Sequence, residues 1–292
     1  MKITYTILFI LIFGEFSVCQ SLNEASRNKD TVSAPTWYEM FTNIPGDCVQ
    51  FYNTNFITEK IPLYAGVSVL TAGLIATDNR TWMAANKIYK ESGPVKRWSD
   101  ILEELGDGRT QFGLSGVYAI YGFIFNDNRA LRTASEITEA VLASGAVVQV
   151  LKHITGRQSP FVSTMPGGRW DFFPNQINYH KHVPSYDAFP SGHVTTALAT
   201  VVVIGENYPN IKWIEPLGYT LTGLLAISMV NTGIHWYSDY PLAVVLGYSF
   251  GMIAVHPEGW TDFIFGNAVK NVHIYPSMVN NGFGLGLNYL LD

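Results

Sequence analysis

Six apolar stretches of helical length, at about 61–77, 112–126, 134–152, 194–207, 214–233 and 239–255, constrain this chain more than any other feature. They predict a mainly α body with six helices. With 292 residues, 48% of them hydrophobic and only 14% charged, the chain is long enough for one large domain or two small ones with a substantial core. A formal net charge of −5 and the absence of any Lys/Arg-rich run leave no electrostatic footprint for nucleic acid.

A bilayer span needs roughly 20 apolar residues, and several of the six stretches fall short of that. The stretch 134–152 carries Glu136 and Glu139 near its start, and 112–126 is short and Gly-rich. Such lengths suit core helices better than spans. The two most lipid-like stretches, 214–233 and 239–255, read as a buried helix pair, with membrane contact as the alternative.

The ends have their own character. Residues 1–20 combine Lys2 with an apolar run from Ile7 to Phe13 and then small and polar residues, the layout of a signal peptide. Cys19 lies near the expected cleavage site, so either it leaves with the leader or it is a lipidated first residue. If it leaves, Cys48 is alone and no internal disulfide forms. Residues 21–60 read as a polar tether and lead-in helix, 61–257 as the core and 258–292 as an extension. In that extension Val272 and Ile274, an Asn280-Asn281-Gly282 turn, and alternating Phe283, Leu285, Leu287 and Tyr289 predict a short C-terminal β-hairpin.

Three clusters could do chemistry. Lys152 and Arg157 gather at the end of the 134–152 helix, where Gly156 and Pro160 are stop signals. They either offset the helix dipole or form a positive wall for a phosphate. Phe189-Pro190-Ser191-Gly192-His193 sets a rigid bend, a hydroxyl, a bare backbone and an imidazole in consecutive positions, which suits an oxyanion. His235 and Asp239 are four apart. If the last helix begins near His235 they share one face, and the carboxylate accepts from Nδ1–H, leaving Nε2 basic. His180-Lys181-His182 could chelate zinc, but no cysteine or third ligand accompanies it at metal spacing, so a solvated or substrate-facing pair fits better.

In order and spacing the three clusters resemble the phosphatidic acid phosphatase type 2 / vanadium haloperoxidase superfamily. Its pattern is Lys-x(6)-Arg-Pro, Pro-Ser-Gly-His, then Ser-Arg-x(5)-His-x(3)-Asp. Lys152 and Pro160, then Pro190 to His193, then Ser228, His235 and Asp239 match it. Two arginines of the pattern are replaced, by Ser159 and Met229. If each resembles one oxyanion-hole donor, an uncompensated loss costs about a hundredfold to a thousandfold. Arg157 and Arg169 are the candidates to compensate.

The resemblance implies a six-helix bundle and a metal-independent phosphatase with no cofactor, acting on a small phosphomonoester or a lipid headgroup. His235 would be the nucleophile, with Asp239 orienting it and His193 as acid and base. Lys152, Arg157, Ser191 and the Gly192 N–H would hold the phosphate. A vanadate-dependent haloperoxidase is a rival enzyme class, and a degenerate member that binds phosphate without efficient turnover is the non-enzymatic rival. A cleaved leader followed by three spans would bring Lys152 into the cytoplasm. The expectation is therefore an exported, periplasmic, non-spanning protein of the acid-phosphatase branch that rests at most on a membrane. Trp170, Phe172, Phe173 and Trp236 are read as core.

Overall fold

The computed structural model describes residues 32–257, 272–279 and 282–289. The signal peptide, Cys19, most of the tether and the turn residues Asn280 and Asn281 lie outside the described residues. Ten α-helices occur among the described residues rather than six. They are α1 (Glu39–Thr42), α2 (Ile44–Asn55), α3 (Ile61–Glu91), α4 (Gly93–Leu105), α5 (Gly108–Phe125), α6 (Asn128–Thr155), α7 (Gln176–Lys181), α8 (Gly192–Asn207), α9 (Ile214–Thr232) and α10 (Tyr240–Val255). Beyond them, β1 (Val272–Val279) and β2 (Gly282–Tyr289) pair antiparallel, with Val279 opposite Gly282.

Local chemistry sets the boundaries. Asp107 caps α5 by accepting from Arg109 N, and Asp127 caps α6 by accepting from Ala130 N. Both helices therefore begin ahead of the apolar stretches that announce them. At the other end of α6, Gly156 takes a left-handed C-cap at φ 54°, as its position predicts. The helices missing from the sequence reading lack an apolar run. α4 is amphipathic and carries Lys96, Arg97, Asp100, Glu103 and Glu104, and α7 has only six residues.

α6, α8 and α10 form the centre. α10 is buried along nearly its whole length. It lies directly on α8, because Gly247 and Gly251 leave no side chain between them: a Cβ at Gly247 would sit 2.5 Å from Thr195 O, and one at Gly251 2.9 Å from Ala199 O. Ile137, Val141, Ala199, Val203 and Ala254 close one end of this core. Phe51 of α2 stacks on Phe250 at 4.8 Å.

α3 corrects the expectation that the apolar helices stay in the core. It runs fourteen residues past the predicted end at 77, and Asp78 is its only buried residue. Three helical segments are long and apolar enough to cross a membrane: Thr58–Glu91, Asn128–Thr155 and Tyr237–Val255. The apolar window of the first is only 6% buried, against 56% and 78% for the others. α5 adds exposed Val117, Ile120, Phe123 and Ile124. Such a continuous exposed apolar face marks a membrane or protein contact. The burial expected for 239–255 holds, whereas 214–233 leaves Leu217, Leu221, Leu224 and Ile227 exposed.

Candidate active site

The fold brings the ends of α6, α8 and α9 together with the turn that starts α10. Ser191 caps α8, its hydroxyl accepting from Val194 N at 3.3 Å, and its own N–H donates to Asp239 O at 3.1 Å. That bond ties the Pro-Ser-Gly-His loop to the His-x-x-x-Asp turn. Gly192 is the first residue of α8, and a Cβ built on it would lie 3.8 Å from Lys152 Nζ. A helix N-terminus and an ammonium group thus face one spot, the arrangement that attracts an oxyanion. Lys152 is buried, and its Nζ lies 3.5 Å from Asp187 Oδ2.

His193 and His235 meet at this spot, with His193 Nδ1 3.3 Å from His235 Nε2. His235 Nδ1 lies 2.8 Å from Ala188 O and 3.4 Å from Asp239 Oδ2. A carbonyl oxygen only accepts, so Nδ1 carries the proton and Nε2 is the basic nitrogen. Nε2 then accepts from His193 Nδ1–H. Burial, with the charges of His235 and Lys152 adding to it, pushes the His193 pKa down to about 3, while Asp107 opposes the shift.

The sequence reading of His235 and Asp239 needs correction. They do not share a helix face, because His235 precedes a 3-10 turn at Tyr237–Asp239 and α10 begins only at Tyr240. The turn folds the Asp239 carboxylate back onto Trp236 N, at 2.7 Å. The nearer acceptor for the imidazole is the Ala188 carbonyl, with the Asp239 carboxylate farther off.

Arg157 is the second correction. It is fully buried, and both Nη groups of its guanidinium are committed to other partners, while its Nε has none among the described residues. Nη1 donates to Ser238 Oγ at 2.6 Å and Asp239 Oδ1 at 2.5 Å, while Nη2 donates to Asp78 Oδ2 at 2.8 Å and Gly167 O at 2.9 Å. The flat group lies between Trp170 and Trp236, at 4.7 and 5.4 Å from their ring centres. It braces the back of Asp239 and does not face the Lys152 spot. Arg169, the other candidate to compensate, is half exposed beside Asp171. Neither replaced arginine position opens to the site. Met229 is wholly buried against Val194, Leu225 and Tyr240, and Ser159 is buried with its N–H on Pro184 O.

Sequence reasoning missed five contributors. Asp187 and the Ala188 carbonyl act through backbone and loop geometry that no spacing rule reports. Gly106, between α4 and α5, packs so closely that a Cβ there would lie 2.9 Å from His193 Cβ. Glu103, three residues earlier, is bonded to Thr232 and feels the charge of His235, while burial holds its carboxyl above the usual range. Asp78 did leave a signal: a lone carboxylate inside a long apolar helix must find a partner. The aromatic residues divide. Trp236 is core as expected, but Phe172 and Phe173 are exposed. His180 packs near His153, with ring centres 5.6 Å apart. No group of three or more metal-ligating side chains is gathered among the described residues.

Comparison with known proteins bears on this site. No curated protein matches the chain. Among solved structures it aligns with a transmembrane PAP2 type phosphatidylglycerolphosphate phosphatase from Bacillus subtilis, at 15% identity and a TM-score of 0.49, covering 69% of this chain and 96% of that one. All three motif clusters fall within residues 134–260, the segment that matches the model of the PAP2 superfamily.

Proposed function

We propose that this protein hydrolyses phosphate esters through a covalent intermediate on His235, without a metal or cofactor. The observation that carries the reading is the 2.8 Å contact from His235 Nδ1 to Ala188 O, which leaves Nε2 unprotonated beside Lys152 and the α8 N-terminus. The phosphate would enter between the two imidazoles and displace the His193–His235 hydrogen bond. The Nε2 lone pair then attacks phosphorus while the bond to the ester oxygen breaks, and protonated His193 gives its proton to the leaving alkoxide. In the second half His193 takes a proton from water, the water oxygen bonds to phosphorus, and the P–N electrons return to Nε2. Lys152, the Gly192 N–H and Ser191 would hold the equatorial oxygens.

The exposed apolar faces of α3 and α5 favour a phosphate carried by a lipid. The test is phosphate release from p-nitrophenyl phosphate and from phosphatidic acid in mixed micelles, alongside His235→Ala. Release that vanishes in the variant, with the lipid preferred, supports the reading. One observation favours a second reading, phosphate binding with little turnover: Arg157 is locked behind Asp239, so Lys152 is the main fixed cation at the spot. Phosphate binding by calorimetry with no release above His235→Ala would establish that alternative.

A further inference from the structure

The buried cluster behind the nucleophile contains one cation and two carboxylates. Arg157 bridges Asp239 at 2.5 Å and Asp78 at 2.8 Å, and all three side chains are fully buried. Ser238 joins them: its hydroxyl accepts from Arg157 and donates to Asp78 Oδ2, and its N–H donates to Asp78 Oδ1 at 3.3 Å. Ser238 precedes Asp239 in the turn that presents its carboxylate to His235. The sum of formal charges is one negative, next to the Nδ1–H of His235. Without Asp78 the sum is zero, because Arg157 neutralises Asp239 alone.

Phosphorylation at Nε2 with Nδ1 still protonated makes the ring cationic, so a residual negative charge behind Nδ1 stabilises that state. Asp78 also fixes geometry, since it holds the far side of the guanidinium and both polar groups of Ser238. It comes from α3, which lies outside the segment that matches the superfamily and buries no other residue.

We propose that Asp78 is a positioning residue for the His235 centre, supplied by the exposed apolar helix α3, so that the seating of this helix sets the charge and aim of the nucleophile. The proposal rests on the phosphatase reading for its kinetic consequence but not for its structural one. The test is Asp78→Asn in the full chain, with Ser238→Ala as a milder variant that removes the bridging hydroxyl and leaves every charge in place. Folding of each is checked by circular dichroism.

In protein labelled with ¹⁵N-histidine, the His235 Nδ1–H resonance, assigned with His235→Ala, is expected to shift in Asp78→Asn and less far in Ser238→Ala. Turnover by Asp78→Asn is expected to fall at least about tenfold in kcat with KM within about twofold. The double variant Asp78→Asn/Arg157→Gln, which removes the cation with its partner, should regain part of that loss. An unshifted His235 resonance in folded Asp78→Asn, or in folded Ser238→Ala where Asp78→Asn does not fold, overturns the proposal. This holds whether or not the wild type turns over. Absence of turnover in the wild type with a shifted resonance overturns the phosphatase reading alone.

Discussion

The imidazole of His235 is held more closely by the carbonyl oxygen of Ala188, at 2.8 Å, than by the Asp239 carboxylate, at 3.4 Å. The tautomer is therefore set by a backbone group that cannot be mutated away. In a triad whose carboxylate fixes the tautomer, Asp→Asn costs about 10⁴ in turnover because the ring flips its protons.

Here Asp239→Asn leaves Nδ1–H on the carbonyl, removes the charge and replaces one oxygen that accepts from Arg157 Nη1 or Trp236 N with an amide donor. The expected loss of kcat is about a hundredfold, the scale of one missing electrostatic contact, with phosphohistidine still trapped on acid quench. A loss of 10⁴ with no trapped intermediate would show that Asp239, not Ala188, governs the ring.

His193 gives a pH prediction. Its pKa in the folded chain is pushed from 6.5 down to about 3, by burial first and then by His235 and Lys152. Between those values the unfolded chain binds a proton that the folded chain refuses. Stability therefore falls as pH drops from above 6.5 toward 3. A bound phosphate reverses the sign at this residue, because the anion favours the imidazolium. Thermal unfolding of the protein should show a phosphate-induced rise in Tm that is larger at pH 5 than at pH 8, and His193→Gln should remove the difference. An equal rise at both pH values would place the phosphate away from His193.

The replaced arginines give a third. Met229 is buried in the cluster of Val194, Leu225 and Tyr240, so Met229→Arg places a guanidinium there. An unpaired buried charge costs about 3–5 kcal/mol, and the variant should lose stability accordingly in phosphate-free buffer. Saturating phosphate or vanadate is expected to recover part of the loss if the new side chain reaches the Lys152 spot. A variant as stable as wild type without ligand would mean that position 229 has a route to water which the packing does not display.

What the sequence disclosed and what it hid follow one physical division. Gly156 ending α6 depends on a few neighbouring residues, and the local sequence carries it. The sequence groups Arg157 with Lys152 at one helix end, whereas its side chain points to Asp78, 79 residues earlier. A spacing of four between His235 and Asp239 fits one face of a helix that begins near His235, but a 3-10 turn starting after Trp236 presents them just as well. The apolar run that announces α3 ends at 77, where polar residues follow, although Asp78 and Asn86 bond to the body, through Arg157 and the Asn231 carbonyl. The misses at Arg157 and α3 are tertiary contacts that override a local rule, and the one at His235 and Asp239 is a local turn that shares the helix's spacing.

The close approach of α10 to α8 gives the last prediction, because it couples packing to the site without touching the chemistry. A methyl at position 247 would sit 2.5 Å from Thr195 O and 3.0 Å from Leu198 Cβ, both on α8. Neither backbone can yield locally, since Thr195 Oγ1 is bonded to Ala243 O at 3.2 Å, one turn before Gly247. Gly247→Ala must push the helices apart, at a cost of about 1–3 kcal/mol. The Ser191 N–H to Asp239 O bond spans the same two elements at their shared end, so the displacement should also loosen the junction between the two motif loops. Gly145 in α6 is the control, because nothing lies within 4 Å of its added methyl and the gain in helix propensity leaves Gly145→Ala neutral or stabilising. Gly247→Ala is expected to lower Tm and to weaken phosphate affinity relative to Gly145→Ala. Equal affinity in the two variants, with only Tm separated, would show that the motif loops are held by contacts other than the α8–α10 seam.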